Sequence, residues 1–232
     1  MSEPRESAAS SADAPVLRPV ALDLDGTLVN SEDVFELAGD ELLSRRGYRH
    51  TPEIRGLMLG KRGEEAFAAL IDHLDLPESI ETLRAEASEL FRHFAADRLA
   101  LMPHAADLID RVTAAGLPAA VCTSSGRDYL HRTLERFGLN DQFKLLLGAE
   151  DVTHGKPHPE IYRTAAERLG VPTDALLVLE DSGTGCAAGV ASGAFTVAVP
   201  NRHTAEMNFD GAAFLAEGLA DPRLQRLITP KR

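Results

Sequence analysis

Only two cysteines, Cys122 and Cys186, occur among 232 residues. That is too few for a disulfide framework and suits a reducing compartment. Both are expected as small buried residues rather than as a structural bridge. No run approaches the roughly 20 apolar residues that a membrane span needs. The opening stretch, MSEPRESAASSADAP, lacks the basic start and apolar segment of a secretory signal and reads as a mobile tail. These absences lead to the expectation of a cytoplasmic protein with no membrane partner. Positive charge is also short: 24 Lys and Arg face 36 Asp and Glu, for a net charge of −12. Nucleic-acid binding rests on Lys and Arg at phosphates, so that class is disfavoured. A small phosphorylated ligand stays open if positive charge is concentrated locally. Internal repeats and interior low-complexity segments are missing too, and no obligate protein partner is evident.

What is present changes character along the chain. PVALDLD reads as a short buried strand, and only helical spacing follows it. Val34, Phe35, Ala38, Leu42 and Leu43 make one stripe, closed by Gly47. Thr51 and Pro52 open a second helix. Phe67, Leu70, Ile71 and Leu74 make a third, and Ile80, Leu83, Ala87, Leu90, Phe91 and Phe94 a fourth. From Pro103 onward, helices at 105–115, 128–137, 159–169 and 184–192 alternate with the strands LPAAVCT, FKLLLGA, ALLVLED and AFTVAVP. A short strand at AAFLA and a helix from Asp221 and Pro222 end the series. The alternation predicts an α/β fold, a doubly wound parallel sheet covered on both faces. Residues 31–100 form an all-helical insertion after the first strand. The expected division is a tail at 1–15, a core at 16–30 and 101–232, and the helical unit at 31–100. Hinges are expected near Asn30 and Leu101–Pro103.

In an open α/β sheet, ligands gather beyond the carboxyl ends of the strands. The first strand ends in Asp23-Leu24-Asp25, followed by Gly26 and Thr27; the second ends in Thr123-Ser124-Ser125, and the fourth in Glu180-Asp181. The loop after the third carries Lys156 within THGKPHPE. Acids beside a buried strand are costly unless something pairs with them. Asp23, Asp181 and a backbone carbonyl offer the hard oxygen ligands that Mg²⁺ favours. Asp23 is placed to attack phosphorus. Asp25, two residues on, can protonate the leaving oxygen and later deprotonate water. Thr123, with the N–H groups of Ser124 and Ser125 before the next helix, can hold phosphate oxygens. Lys156 adds a point charge on the same group. Gly26 lets the chain leave the strand sharply and brings backbone, with Thr27, close to a ligand. In the helical unit, Lys61 and Arg62 follow Gly60 as candidate substrate contacts, with a solvated turn as the equal alternative. Glu64 and Glu65 read as exposed helix charge, and His154 and His158 as loop residues.

Four segments, DLDGT, AAVCTSS, GKPHPEIY and VLEDSGTGCAAGVASG, occur in this order with a helical block between the first two. They resemble the four motifs of the haloacid dehalogenase superfamily, specifically its phosphotransferase members with an α-helical cap, phosphatases and β-phosphoglucomutase-like enzymes. The resemblance runs from about Val20 to Pro200 and implies a Rossmann-like core. It implies Asp23 as nucleophile, Asp25 as general acid/base, Thr123 and Lys156 as phosphate binders and Asp181 as a Mg²⁺ ligand. The Asp25 carbonyl joins that ligand set, and Glu180 either ligates or orients Lys156. The helical unit is then a cap that closes over substrate. One departure is LVNS, with Asn30 where the family pattern has Asp. Asn30 is expected to cap the following helix, with Asp33 three residues on. The resemblance disfavours dehalogenation and phosphonate hydrolysis, because those branches lack the second aspartate. It implies a phosphatase for a small phosphorylated metabolite, a sugar phosphate foremost. A phosphomutase stays open, although SEDVFELAGDELL lacks the histidine that β-phosphoglucomutase carries in its first cap helix. A non-catalytic binder of a phosphorylated metabolite is the third reading.

Overall fold

A computed structural model describes residues 17–58 and 63–229. The expected tail at 1–15, and Lys61 and Arg62, lie outside the described residues. Six strands form one sheet: β1 Val20–Leu22, β2 Ala119–Cys122, β3 Leu145–Leu147, β4 Leu177–Glu180, β5 Phe195–Ala198 and β6 Phe214–Leu215. Their order is β3-β2-β1-β4-β5-β6, and every pairing is parallel. β1 lies in the middle, with Val20 opposite Ala119 on one side and Leu177 on the other.

The strands are short apolar runs because both faces are covered. Successive side chains point to opposite faces, and the core divides accordingly. Val20, Leu22, Val121, Leu177 and Leu179 join a cluster with Leu108, Ile109, Leu130, Leu134, Leu224 and Ile228. Those partners come from α5 Ala105–Ala114, α6 Arg127–Arg136 and α9 Pro222–Ile228. Ala21, Ala120, Cys122 and Val178 face the other way, onto α7 Glu160–Leu169 and α8 Gly183–Ser192. Glu180 continues the alternation of Val178 and so faces the α7 layer, which sets its partners at the site.

Among the described residues, four helices lie between β1 and α5: α1 Ser31–Ser44, α2 Pro52–Met58, α3 Gly63–Leu74 and α4 Ile80–Arg98. α1 packs mainly on α4, and Val34, Ala38, Leu42, Leu83, Leu90 and Phe91 are buried between them and their neighbours. The Thr51 hydroxyl accepts from the Ile54 N–H at 3.4 Å, the capping contact expected there. The chain enters and leaves this block side by side. Val29 and Leu101 form an antiparallel bridge, with Asn30 N–H bonded to Ala100 O and Met102 N–H to Leu28 O.

Asn30 corrects one expectation. It occupies the residue before α1, but its side chain makes no capping bond there. Its Oδ1 instead accepts from the Ala100 N–H at 2.7 Å, and its Nδ2 donates to Arg98 O and to Asp33. The returning segment at Ala100 offers an unpaired N–H within reach, and the amide goes to it.

Candidate active site

The carboxyl ends of β1, β2 and β4 meet the loop before α7. Lys156 Nζ donates to Asp23 Oδ1 at 2.5 Å, to Glu180 Oε1 at 2.5 Å and to Cys122 O at 2.9 Å. Asp23 and Asp181 are 6% and 3% exposed, and Glu180 is fully buried. Glu180 is bonded through both oxygens: its Oε1 also accepts from the Tyr162 hydroxyl at 2.5 Å, and its Oε2 from Ser182 at 3.2 Å. Burial opposes the Lys156 charge, but Asp23 and Glu180 more than offset it and hold the ammonium well above its ordinary value. The Cys122 thiol is pushed up to about 12 by burial. It stays protonated, and both cysteines are free and buried.

Asp181 is held by neutral groups. Asn201 Nδ2 donates to it at 2.8 Å and the Thr27 hydroxyl at 3.4 Å. Burial, followed by the charges of Glu180 and Glu32, pushes its carboxyl up to about 8. Asp23 is raised well above the ordinary range by burial, against the pull of Lys156. Gly26 lies against this acid. Its φ is +77°, and a Cβ there would overlap the Asp181 carboxylate and crowd the Asn201 amide. Only glycine satisfies both constraints.

Asp25 faces a different set. Its Oδ2 accepts from Ser125 Oγ at 2.7 Å and Thr123 Oγ1 at 3.2 Å, and its Oδ1 from the Tyr129 hydroxyl at 3.0 Å. Thr123 also accepts from the Ser125 N–H, while Ser124 is exposed. Tyr129 packs edge-on against Phe91 of α4, with ring centroids 5.8 Å apart, and Phe91 meets Phe35 of α1 at 4.3 Å. The helical block thus reaches the acid through aromatic packing. A second tie joins α1 to the loop after β5, where Arg202 pairs with Asp33 and Glu36 and His203 with Asp33. A cavity of about 290 Å³ lies between Gly26, Asn30, Glu32, Leu101, Asn201 and His203.

The expected residues Asp23, Asp25, Thr123, Ser125, Lys156, Glu180, Asp181, Gly26 and Thr27 therefore converge on one end of the sheet. Sequence reasoning missed Tyr129, Tyr162 and Asn201, which hold Asp25, Glu180 and Asp181. Asn201 follows VAVP at the end of β5, so its place beyond a strand end was an available signal. Tyr162 closes the GKPHPEIY segment, so the resemblance marked its position but not its bond to Glu180, whereas Tyr129 sits on a helical stripe and carries no signal beyond an apolar period.

The cluster suits Mg²⁺. Asp23, Glu180 and Asp181 bring carboxylate oxygens within 4.8 Å of one another. One ammonium faces three acids, and among the described residues no cation pairs with Asp181. An all-oxygen set with surplus negative charge is what a hard divalent ion requires.

Residues 20–199 match the family model of the haloacid dehalogenase-like hydrolases. The bifunctional riboflavin kinase/FMN phosphatase of Arabidopsis thaliana is 29% identical over 91% of this chain, which spans 56% of that protein's length. A probable pseudouridine-5′-phosphatase of Drosophila melanogaster is 31% identical, over 93% of this chain and 96% of its own. The crystal structure of CbbY from Rhodobacter sphaeroides in complex with phosphate superposes with a TM-score of 0.76 at 28% identity. That match covers 89% of this chain and 96% of the other. No described helix is long and apolar enough to cross a membrane. A parallel sheet with acids at its strand ends, a buried lysine between two of them and a family match over 180 residues lead to one assignment: the chain is an enzyme of the haloacid dehalogenase-like hydrolase family.

Proposed function

We propose that the protein is a Mg²⁺-dependent phosphatase for a small phosphorylated metabolite, a sugar phosphate foremost. The observation that carries this reading is Lys156, bonded to both Asp23 and Glu180 beside Asp181, with Asp25 held separately by three hydroxyls. Relatives named for FMN and pseudouridine 5′-phosphate support the substrate class.

In this mechanism Asp23 attacks phosphorus, forming an Oδ–P bond as the ester P–O bond breaks. Asp25 gives its proton to the departing oxygen. It then takes a proton from water, whose oxygen attacks phosphorus, and the Asp23–phosphorus bond breaks to release phosphate. Lys156 balances charge on the transferred group and holds Asp23 in place. Glu180 and Tyr162 orient Lys156. Thr123 and the N–H groups of Ser124 and Ser125 receive phosphate oxygens, the Thr123 hydroxyl turning from Asp25 and the Ser125 N–H from Thr123 as substrate enters, with Gly26 and Thr27 lining the turn opposite. Asp23, Asp181 and the Asp25 carbonyl would hold Mg²⁺, which supplies charge neutralisation between carboxylates and phosphoryl oxygens. Residues 31–100 act as the cap, with the paired segments at Val29 and Leu101 as its hinge. Closure excludes water and sets selectivity.

The test is a panel of phosphate esters assayed with Mg²⁺, with EDTA and with Asp23→Asn, reading both released phosphate and isomerised sugar phosphate. Mg²⁺-dependent release that EDTA and Asp23→Asn abolish is expected. Isomerisation without net release would overturn the phosphatase reading in favour of a mutase. Silence across the panel would favour a non-catalytic binder.

A further inference from the structure

The loop that delivers Lys156 carries a second group of metal-ligating side chains, with chemistry unlike the first. His154 Nδ1 lies 3.0 Å from Glu160 Oε2, and His158 Nδ1 lies 3.7 Å from the same oxygen. The three ligand atoms all fall within 4.8 Å of one another. The two rings are 4.7 Å apart. We propose that His154, His158 and Glu160 form a surface site for a borderline divalent transition ion, Zn²⁺ foremost, on this loop.

Two imidazoles and one carboxylate favour Zn²⁺ and its neighbours over Mg²⁺, which prefers oxygen alone. Bonds of about 2.0–2.2 Å to each ligand separate ligand atoms by roughly 3–4 Å. Two separations already lie in that range, and the histidines, with side chains 64% and 49% exposed, have room to close the remainder by rotation. The carboxylate is preset. Glu160 Oε1 accepts from the Thr153 N–H at 2.7 Å, and Oε2 from the His154 N–H at 3.0 Å. The loop closes on itself through the His158 N–H to Gly155 O at 3.0 Å. Outer bonds of this kind orient a ligand before a metal arrives. An ion on these three side chains ties the loop together on both sides of Lys156. Solvent-facing positions are left for water.

The test uses the full chain with excess Mg²⁺ to occupy the acidic cluster, and titrates Zn²⁺ by calorimetry and Co²⁺ by visible absorption. One equivalent is expected in the wild type and in Asp181→Asn. In His154→Ala/His158→Ala that equivalent should be lost or weakened by at least about tenfold, the lower bound for disturbing even an outer partner of a metal. The double variant should keep Mg²⁺-dependent phosphate release. His158→Ala alone, which leaves the Glu160–His154 bonds intact, carries the same expectation. Equal binding by wild type and the double variant, loss of the equivalent in Asp181→Asn, or no Zn²⁺ binding by the wild type would each overturn the proposal.

Discussion

Tyr129→Phe removes one hydroxyl and leaves the ring packed on Phe91. The lost bond is the 3.0 Å donation to Asp25. Hydrogen bonds to charged groups contribute about 1.5–3 kcal/mol, and part of that positions the acid. We expect kcat to fall about tenfold, with KM changed by less than about threefold, in steady-state assays with the best substrate of the panel. An equal rise in KM with kcat intact would assign Tyr129 to substrate binding instead. Asp23, Asp25 and Asp181 were legible in the sequence because charged residues next to buried strands need a reason, and Lys156 because it stands among turn-forming residues in the loop THGKPHPE. Tyr129 was not, because a tyrosine on an apolar helical stripe reads as core until the fold shows what its hydroxyl reaches, and Tyr162 was marked only as the last residue of GKPHPEIY, its bond to Glu180 coming from the fold. Asn30 was misread for a related reason. Its partner Ala100 is 70 residues away, and only the return of the chain brings that N–H within range.

At the scale of elements, α8 begins against the acid that holds Lys156. A Cβ on Gly185 would overlap the Glu180 carboxylate. Gly185→Ala forces one of them to move, and overpacking of this kind costs about 1–3 kcal/mol. We expect that loss in a urea titration, together with lower phosphatase activity, because a displaced Glu180 no longer anchors Lys156. Full stability and full activity would contradict the packing. The order of strands and helices was readable from hydrophobic period alone, and β1 through β5 fall where the apolar runs place them. Strand ends were less legible. FKLLLGA contributes only Leu145–Leu147 to the sheet, and AAFLA only Phe214–Leu215. β3 and β6 are the edge strands, each paired on one side only, so the ladder ends before the apolar run does.

For the molecule as a whole, surplus acid at the site links stability to pH and to metal. Without metal, Asp181 titrates at about 8 in the folded state, against about 3.9 unfolded. Its folded pKa is raised, so its contribution is fully present below about pH 4 and is lost as pH rises towards 8. On the proposed ligand set, Mg²⁺ would bind the ionised form and reverse that loss. The melting temperature of EDTA-treated protein should fall from pH 5 to pH 8, and Mg²⁺ should raise it more at pH 8 than at pH 5. A larger Mg²⁺ shift at pH 5 would contradict the proposed ligand set. The central claim is narrower still: Asp23 carries the phosphoryl group during turnover. The direct measurement is acid quench of the working enzyme, followed by peptide mass spectrometry of the segment that contains ALDLDGTLVN. The account predicts one phosphoryl group on Asp23, absent from Asp23→Asn. Turnover with no label there, or with label on another residue, would contradict it.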